Sequence, residues 1–154
     1  MALYRINSSS KMIEEAKKLN NKITFSVQDI ENLNYESNHF DYVIAIGVFE
    51  YLERDEIALR EIERILKIDG KAILEFNNKL WHSKMNDIKE PNSEFPMIRR
   101  NHNPFEIGKI IEKEGLTFYD LHFYHMDEGY NENKFEKRWE AVYLASAFIT
   151  EIKK

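Results

Sequence analysis

The stretch DYVIAIGVF, residues 41–49, is the most apolar part of this sequence and decides its fold class. Its apolar residues do not alternate with polar ones, which is typical of a strand buried on both faces of a parallel sheet. Residues 54–66 carry apolar side chains at helical spacing on one face. Asp69 and Gly70 are expected to form the turn at the helix exit, with Gly70 in the left-handed conformation. Residues 71–76 then return as a strand.

The same alternation extends toward the N-terminus. Residues 3–6 are predicted to form a short buried strand, and the run from Asn7 to Ser10 supplies side chains that cap helix N-termini. A helix follows, and residues 23–27, rich in β-branched and aromatic side chains, are predicted to form the next strand. Strands that alternate with helices predict a parallel sheet covered on both faces.

The C-terminal half has a different pattern. Residues 77–102 are polar, with isolated large apolar side chains, and we interpret them as a lid or insertion. Asn103-Pro104 begins a helix, because proline is favoured at the first helical position. Residues 116–126 and 141–149 are predicted strands with no helix between them, which favours an antiparallel hairpin at one sheet edge. Residues 1–154 are therefore expected to form a single domain.

Composition narrows the function classes. The chain has 154 residues, a formal net charge of −5 and no cysteine. The mild acidity argues against a nucleic-acid partner, which would require clustered Lys and Arg. No apolar run approaches the roughly 20 residues that span a bilayer, so no membrane association is expected. The absence of cysteine excludes disulfides and zinc-thiolate sites, and we expect a cytoplasmic location.

Three segments together carry a family resemblance: INSSSKMIEEA (6–16), VQDIENL followed by FDYVI (27–33 and 40–44), and ALREIERILKIDGK (58–71). They resemble three segments of the class I S-adenosylmethionine-dependent methyltransferases, of the small-molecule, type 11/12-like group. Ile68 and Asp69 stand where that family has proline and glycine. The resemblance covers about residues 3–150. It implies an α/β, Rossmann-like three-layer sandwich whose mostly parallel sheet ends in an antiparallel hairpin.

The resemblance also implies residues that bind S-adenosylmethionine. Asn7 stands where the family has an acid that accepts from the ribose hydroxyls, and capping the helix is its alternative role. An amide is the weaker acceptor because it is uncharged. Asp29 stands at the adenine-contacting position, with Ile30 against the ring, and the alternative for Asp29 is a solvated loop position. Gly47 lies where the backbone passes close to the cofactor, or it permits a turn.

Candidates for the acceptor side follow the fourth strand of the family or lie in the insertion. Glu50 and Tyr51 come after the carboxyl end of a strand, where ligands bind in doubly wound sheets. A general base is needed only if the acceptor arrives protonated. No histidine pair has a metal-ligand spacing, so no metal is expected. The other candidates, each with a structural alternative, are Trp81, Arg99 and Arg100 for acceptor binding, and His82, His102 and Tyr51 for catalysis.

One feature of the family is absent from the sequence. Its first strand ends in a glycine-rich loop upstream of the position of Asn7, yet only six residues precede Asn7 here and the first glycine is Gly47. We therefore expect an N-terminally truncated, incomplete domain that lacks the middle strand of its sheet. A partner chain, a strand exchanged in a homodimer, or a shift of residues 3–6 would fill that place.

Two functions fit these observations. The first is methyl transfer from S-adenosylmethionine to an unidentified small-molecule acceptor, with the cofactor site completed by a partner chain or a missing N-terminal segment. The alternative is a non-catalytic, methyltransferase-like protein that binds or regulates a partner. A dinucleotide-dependent enzyme fits less well, because it also needs a glycine-rich loop and residues 58–70 do not resemble one.

Overall fold

The computed structural model describes residues 2–79, 100–126 and 145–154. Strands and helices alternate through the first two of these ranges, except that β3 follows β2 without a helix between them, and this is the order that the sequence predicts. The elements are β1 (Tyr4–Asn7), α1 (Ser10–Leu19), β2 (Thr24–Val27), β3 (Phe40–Ala45), a 3₁₀ turn (Phe49–Tyr51), α2 (Asp55–Ile65), β4 (Leu66–Asn77), α3 (Pro104–Lys113), β5 (Thr117–Met126) and β6 (Ala145–Lys153). The predicted α/β class is confirmed.

The strands form two sheets. The first contains β1 and β2, which are parallel. The second has the order β3-β4-β6-β5, in which β3 and β4 are parallel and β6 is antiparallel to both of its neighbours. The predicted hairpin of β5 and β6 is present, with β5 at the sheet edge. The last strand runs four residues further than residue 149, the predicted end. Among the described residues, no strand lies between β1 and β3.

The core lies between the four-stranded sheet and a layer made of α2 and α3. Both helices bury an apolar stripe, as their periodicity predicts. The fully buried side chains of this layer and of β4 include Leu59, Ile62, Ile107, Ile111, Leu66, Leu74 and Phe76. Asn103 accepts from the N–H of Phe105 at the start of α3, and Pro104 occupies its first turn. The predicted start of this helix is therefore confirmed.

The other face of β3 is open among the described residues. Tyr42 and Ile44 are 68% and 65% exposed, whereas Ala45, which points to the opposite face, is buried in the core. Helix α1 packs against β1 and β2 instead. The expectation of helices over both faces is therefore not met at β3 by the described part of the chain.

The turn after α2 differs from the prediction. Asp69, not Gly70, adopts the left-handed conformation, with φ of 65°. Strand β4 begins at Leu66, directly after the helix. Gly70 is required for space, because a Cβ at this position would lie 2.8 Å from the backbone oxygen of Lys67. Aspartate tolerates the left-handed region. The prediction that Gly70 adopts the left-handed conformation was therefore wrong, and glycine is needed there for lack of space instead.

Candidate functional site

Two of the predicted cofactor residues lie at the same edge of the sheet, where the parallel strands β1 and β2 end. Asn7 ends β1 and pairs in register with Val27, the last residue of β2. The N–H of Gln28 donates to the backbone oxygen of Asn7 at 3.1 Å. The loop that carries Asp29 therefore leaves the sheet directly beside Asn7. This is the end of a parallel sheet at which ligands bind.

The side chain of Asn7 organises the turn that follows β1. Its Oδ1 accepts from the N–H of Ser9 at 2.8 Å. The residue that caps α1 is Ser9, whose hydroxyl accepts from the N–H of Met12. The alternative that Asn7 caps this helix was therefore wrong. Its contact with ribose stays a prediction.

The loop after β2 is folded on itself around Asp29. One carboxylate oxygen, Oδ1, accepts from the N–H of Glu31 at 3.0 Å, and the backbone oxygen accepts from Asn32 at 3.1 Å. The carboxylate is exposed, and its Oδ2 forms no hydrogen bond within the described residues. Ile30 is half-buried and packs against the core. The exposure of Asp29 agrees with the alternative of a solvated loop residue. The same exposure leaves the carboxylate accessible to a ligand, so the adenine contact stays a prediction.

Two side chains of α2 hold this loop from the other side. Glu61 accepts from the N–H of Leu33 at 2.8 Å. Arg64 donates to the backbone oxygens of Leu33 at 2.8 Å and Tyr35 at 2.5 Å. The two side chains also pair with each other at 2.8 Å. The hydrogen bond from Arg64 is the main cause that lowers the pKa of Glu61, and the same bond raises the pKa of Arg64.

Sequence reasoning included Glu61 and Arg64 in a family segment but gave them no role. Their spacing of three residues on a helix was a signal for an ion pair. Their main partners are backbone groups about 30 residues earlier in the chain, and no local pattern reveals those.

Gly47 follows β3 and turns the chain toward the 3₁₀ segment. Its φ is 65°, and apart from its chain neighbours no atom of the described residues lies within 4 Å of the place where a Cβ would stand. The positive φ agrees with the alternative that Gly47 permits a turn, and its close approach to the cofactor stays a prediction. The N–H of Gly47 donates to the Glu75 carboxylate at 2.6 Å. Glu75 is a neighbour that the sequence did not indicate.

Glu50 and Tyr51 lie in the 3₁₀ turn beyond β3. The carboxylate of Glu50 accepts a short hydrogen bond from the side-chain amide of Asn77, at the end of β4. The backbone oxygen of Glu50 accepts from the N–H of Arg100 at 2.7 Å. Tyr51 is exposed. The structure therefore brings Glu50 and Arg100 together, and both lie next to the carboxyl end of β4.

A buried acid joins Arg100 and His102 to the start of α2. Asp55 is 2% exposed, and its two carboxylate oxygens accept from Arg100 at 3.0 and 3.2 Å. Arg100 also donates to the backbone oxygen of Leu52 at 2.7 Å. His102 is 4% exposed, with Nε2 3.3 Å from Asp55 and Nδ1 without a hydrogen-bond partner in the described structure. Trp81, His82 and Arg99 lie outside the described residues.

The described residues contain neither a cluster of metal ligands nor a helix that could cross a membrane. In residues 2–79, 100–126 and 145–154, no three His, Asp or Glu side chains are grouped as metal ligands. Within the same ranges, every helix is too short or too polar to cross a membrane.

Comparisons with known proteins agree on the fold. Residues 1–74 match the methyltransferase domain family. The chain superposes on an S-adenosylmethionine-dependent methyltransferase from Methanosarcina mazei with a TM-score of 0.78 and 14% identity, over 99% of this chain and 82% of that one. A methyltransferase from Mesorhizobium loti gives a TM-score of 0.76 at 11% identity, over 99% and 80%. The fold is that of a class I S-adenosylmethionine-dependent methyltransferase.

Sequence relatives support the methyltransferase resemblance over a shorter range. The ubiquinone/menaquinone biosynthesis C-methyltransferase of Agrobacterium fabrum is 40% identical over 63 residues, which are 40% of this chain and 24% of that enzyme. Its counterpart in Rhizobium rhizogenes is 41% identical over the same shares. The match thus spans about a quarter of the length of these relatives.

Proposed function

We propose that this methyltransferase-like chain takes part in methyl transfer from S-adenosylmethionine to a small-molecule acceptor. Asn7, Asp29, Ile30 and Gly47 hold the adenosyl part of the cofactor. The observation that carries the proposal is the position of Asn7 beside the Asp29 loop at one end of a parallel sheet. The cysteine-free sequence supports a cytoplasmic setting.

The residues present fit an adenosyl group. Asp29 uses Oδ1 within its own loop, and Oδ2 remains to accept from an exocyclic amine or a hydroxyl. Asn7 uses Oδ1 for the N–H of Ser9 and keeps its amide N–H groups as donors. Ile30, half-buried against the core, offers an apolar edge to a purine ring.

The acceptor side is proposed to lie at the ends of β3 and β4. When bound, the cofactor supplies a methyl group on a positively charged sulfur, and the neutral thioether is a good leaving group. Positioning of the acceptor and exclusion of water therefore carry most of the catalysis. Glu50 and Arg100, held together by a backbone hydrogen bond, are proposed to contact the acceptor, with Trp81 and Arg99. Tyr51, His82 and His102 remain the candidates for a base. Because the curated relatives match over 24% of their length, their acceptor is not assigned to this chain.

A strand from outside the described residues is proposed to complete the cofactor site. β1 pairs with β2, and β3 pairs with β4, but β1 and β3 belong to different sheets. Residues 3–6 remain paired with β2, so the expected alternative of their shift into the middle of the sheet is not observed. A strand between β1 and β3 would form backbone hydrogen bonds with both of them.

We propose that this strand comes from a second copy, a partner chain or a preceding segment, and that it brings the glycine-rich loop of the family. The exposed Tyr42 and Ile44 on β3 support the proposal, since a helix that follows such a strand would cover them. One structure with a similar fold is a complex that contains the Haloferax volcanii Trm112 methyltransferase activator, at a TM-score of 0.71.

Titration calorimetry with S-adenosylhomocysteine tests the cofactor site. Asp29→Ala is expected to weaken binding about tenfold, the loss of one or two hydrogen bonds. Asp41→Ala is the matched control, because Asp41 is exposed and pairs with Lys67. Equal affinities for the two variants would contradict the adenine contact of Asp29. No binding by the wild-type protein in any assembly state would contradict the methyltransferase function.

The alternative function is a non-catalytic interaction protein. The open face of β3, with two large apolar side chains exposed, favours binding of another protein in either case. A stable complex or homodimer that releases no heat with S-adenosylhomocysteine would support this alternative over methyl transfer.

A further inference from the structure

The loop between β2 and β3 reaches α2 through its main chain. The N–H and the oxygen of Leu33 and the oxygen of Tyr35 are all bonded to side chains of Glu61 and Arg64. These contacts do for the loop what strand or helix pairing does for regular elements. The Leu33 side chain is also buried, so the loop is fixed both by polar bonds and by packing.

The loop transmits this restraint to Asp29 through two short connections. Asn32, next to Leu33, donates to the backbone oxygen of Asp29 at 3.1 Å. Asn34 donates to the side-chain oxygen of Gln28 at 2.9 Å, and Gln28 precedes Asp29 directly. A loop held at Leu33 and closed on both sides of Asp29 has few ways to move the carboxylate. The contacts from α2 therefore restrain the Asp29 loop, in addition to its backbone hydrogen bond to Asn7.

We propose that Glu61 and Arg64 are positioning residues for the adenosyl site, which act by holding the Asp29 loop in its binding conformation. This inference rests on the proposed function for its ligand, and on the loop contacts for its mechanism. Neither residue is proposed to touch the cofactor.

Arg64 is suited to this role by the shape of its guanidinium. Its Nε and one Nη group bond Glu61, while the two Nη groups reach Tyr35 and Leu33. A lysine has the charge but one compact ammonium group, so it does not reproduce this set of directions. Arg64→Lys is thus a conservative change in charge and a severe one in geometry.

Arg60 offers a matched control on the same helix. It pairs with Glu114 at 3.0 Å, and its side chain is 63% exposed. Arg60→Lys makes the same chemical change one turn away and leaves the loop contacts intact. A second variant, Glu61→Gln, keeps an oxygen for the N–H of Leu33 and is expected to retain more affinity than Glu61→Ala.

The experiment measures two quantities on the protein in its native assembly. The first is hydrogen exchange of the Leu33 amide well below the melting temperature, and the second is the Kd for S-adenosylhomocysteine. Arg64→Lys is expected to speed exchange and to raise the Kd, each about tenfold. Arg60→Lys is expected to change neither. A purely structural role would lower the melting temperature without raising the Kd of the folded protein.

The outcomes separate the two proposals. If the wild type binds and Arg64→Lys binds equally well, the positioning role is overturned and the function stands. If Arg60→Lys has the same effect as Arg64→Lys, the positioning role is likewise overturned. If the wild type binds no S-adenosylhomocysteine while Arg64→Lys speeds Leu33 exchange, the proposed function falls, and the cofactor role of the pair falls with it.

Discussion

The ring centroids of Tyr4 and Phe40 lie 5.4 Å apart, although the two residues belong to different sheets. Tyr4 is in β1 and Phe40 is in β3. Tyr35 and His39, from the loop between β2 and β3, surround the same pair. Both rings lie at the amino ends of their strands. The two sheets are thus joined by aromatic contacts at the end opposite to the candidate site.

A double-mutant cycle measures the interaction free energy of this aromatic contact. Tyr4→Leu and Phe40→Leu are expected to show a coupling of about 1 kcal/mol in urea unfolding, the usual size for an edge-to-face ring pair. Tyr42→Leu serves as the control partner, since Tyr42 is on the same strand as Phe40 and is exposed. A coupling of the same size between Tyr4 and Tyr42 would argue against a specific contact.

Two glycine substitutions are expected to change stability in opposite directions. Gly70→Ala places a Cβ 2.8 Å from the backbone oxygen of Lys67, and we expect it to cost about 1–3 kcal/mol. Gly108 is in the interior of α3, and its Cβ would meet only ordinary contacts with Phe118 at 3.7 Å. Gly108→Ala is expected to stabilise by about 0.5–1 kcal/mol. Thermal unfolding of both variants decides the matter, and a stabilising Gly70→Ala would contradict the packing account.

The Glu61–Arg64 pair predicts a specific acid sensitivity. Bonding to Arg64 holds the pKa of Glu61 below its ordinary value of 4.5. A lowered folded pKa means that the charged form is favoured by folding, so the stabilisation is complete above pH 4.5 and is lost as the pH falls through the lower folded value.

Glu61→Gln removes this titration and provides the measurement. The wild type is expected to melt above the variant by a constant margin near neutral pH, and the margin is expected to shrink once the pH falls below about 4.5. A margin that stays constant down to about pH 3 would show that Glu61 titrates normally.

Asp55 is expected to contribute more to the free energy of unfolding than an exposed acid in the first turn of a helix does. Its buried carboxylate binds Arg100 and faces His102. Asp55→Asn is expected to cost about 1–3 kcal/mol in urea unfolding, because charged hydrogen bonds are lost in a buried place. The control is Glu56→Gln in the same turn, for which a loss below about 1 kcal/mol is expected. Equal losses of unfolding free energy in the two variants would show that Asp55 acts only through the helix dipole.

The sequence predicted what depends on local periodicity. The apolar stripes of α2 and α3 and the proline at position 104 needed only neighbouring residues, and each was found where expected. The expectation of a missing middle strand came from a family resemblance and stays a prediction, while the structure places β1 and β3 in different sheets.

What the sequence did not predict depends on contacts between distant parts of the chain. The burial of Asp55 requires Arg100, 45 residues later. The role of Glu61 and Arg64 requires backbone groups of a loop about 30 residues earlier. Gly70 was assigned a left-handed turn because glycine is common there, whereas the close approach of Lys67 is the actual constraint.

Light scattering combined with S-adenosylhomocysteine binding tests the central claim most directly. The claim is that β1 and β3 are two sides of one cofactor-binding sheet that needs a strand from elsewhere. We predict that binding occurs only in a species heavier than one 18.5 kDa chain, whether a homodimer, a complex with a partner chain, or a longer chain that carries the strand in a preceding segment. A monodisperse monomer of 18.5 kDa that binds the ligand unaided would contradict it.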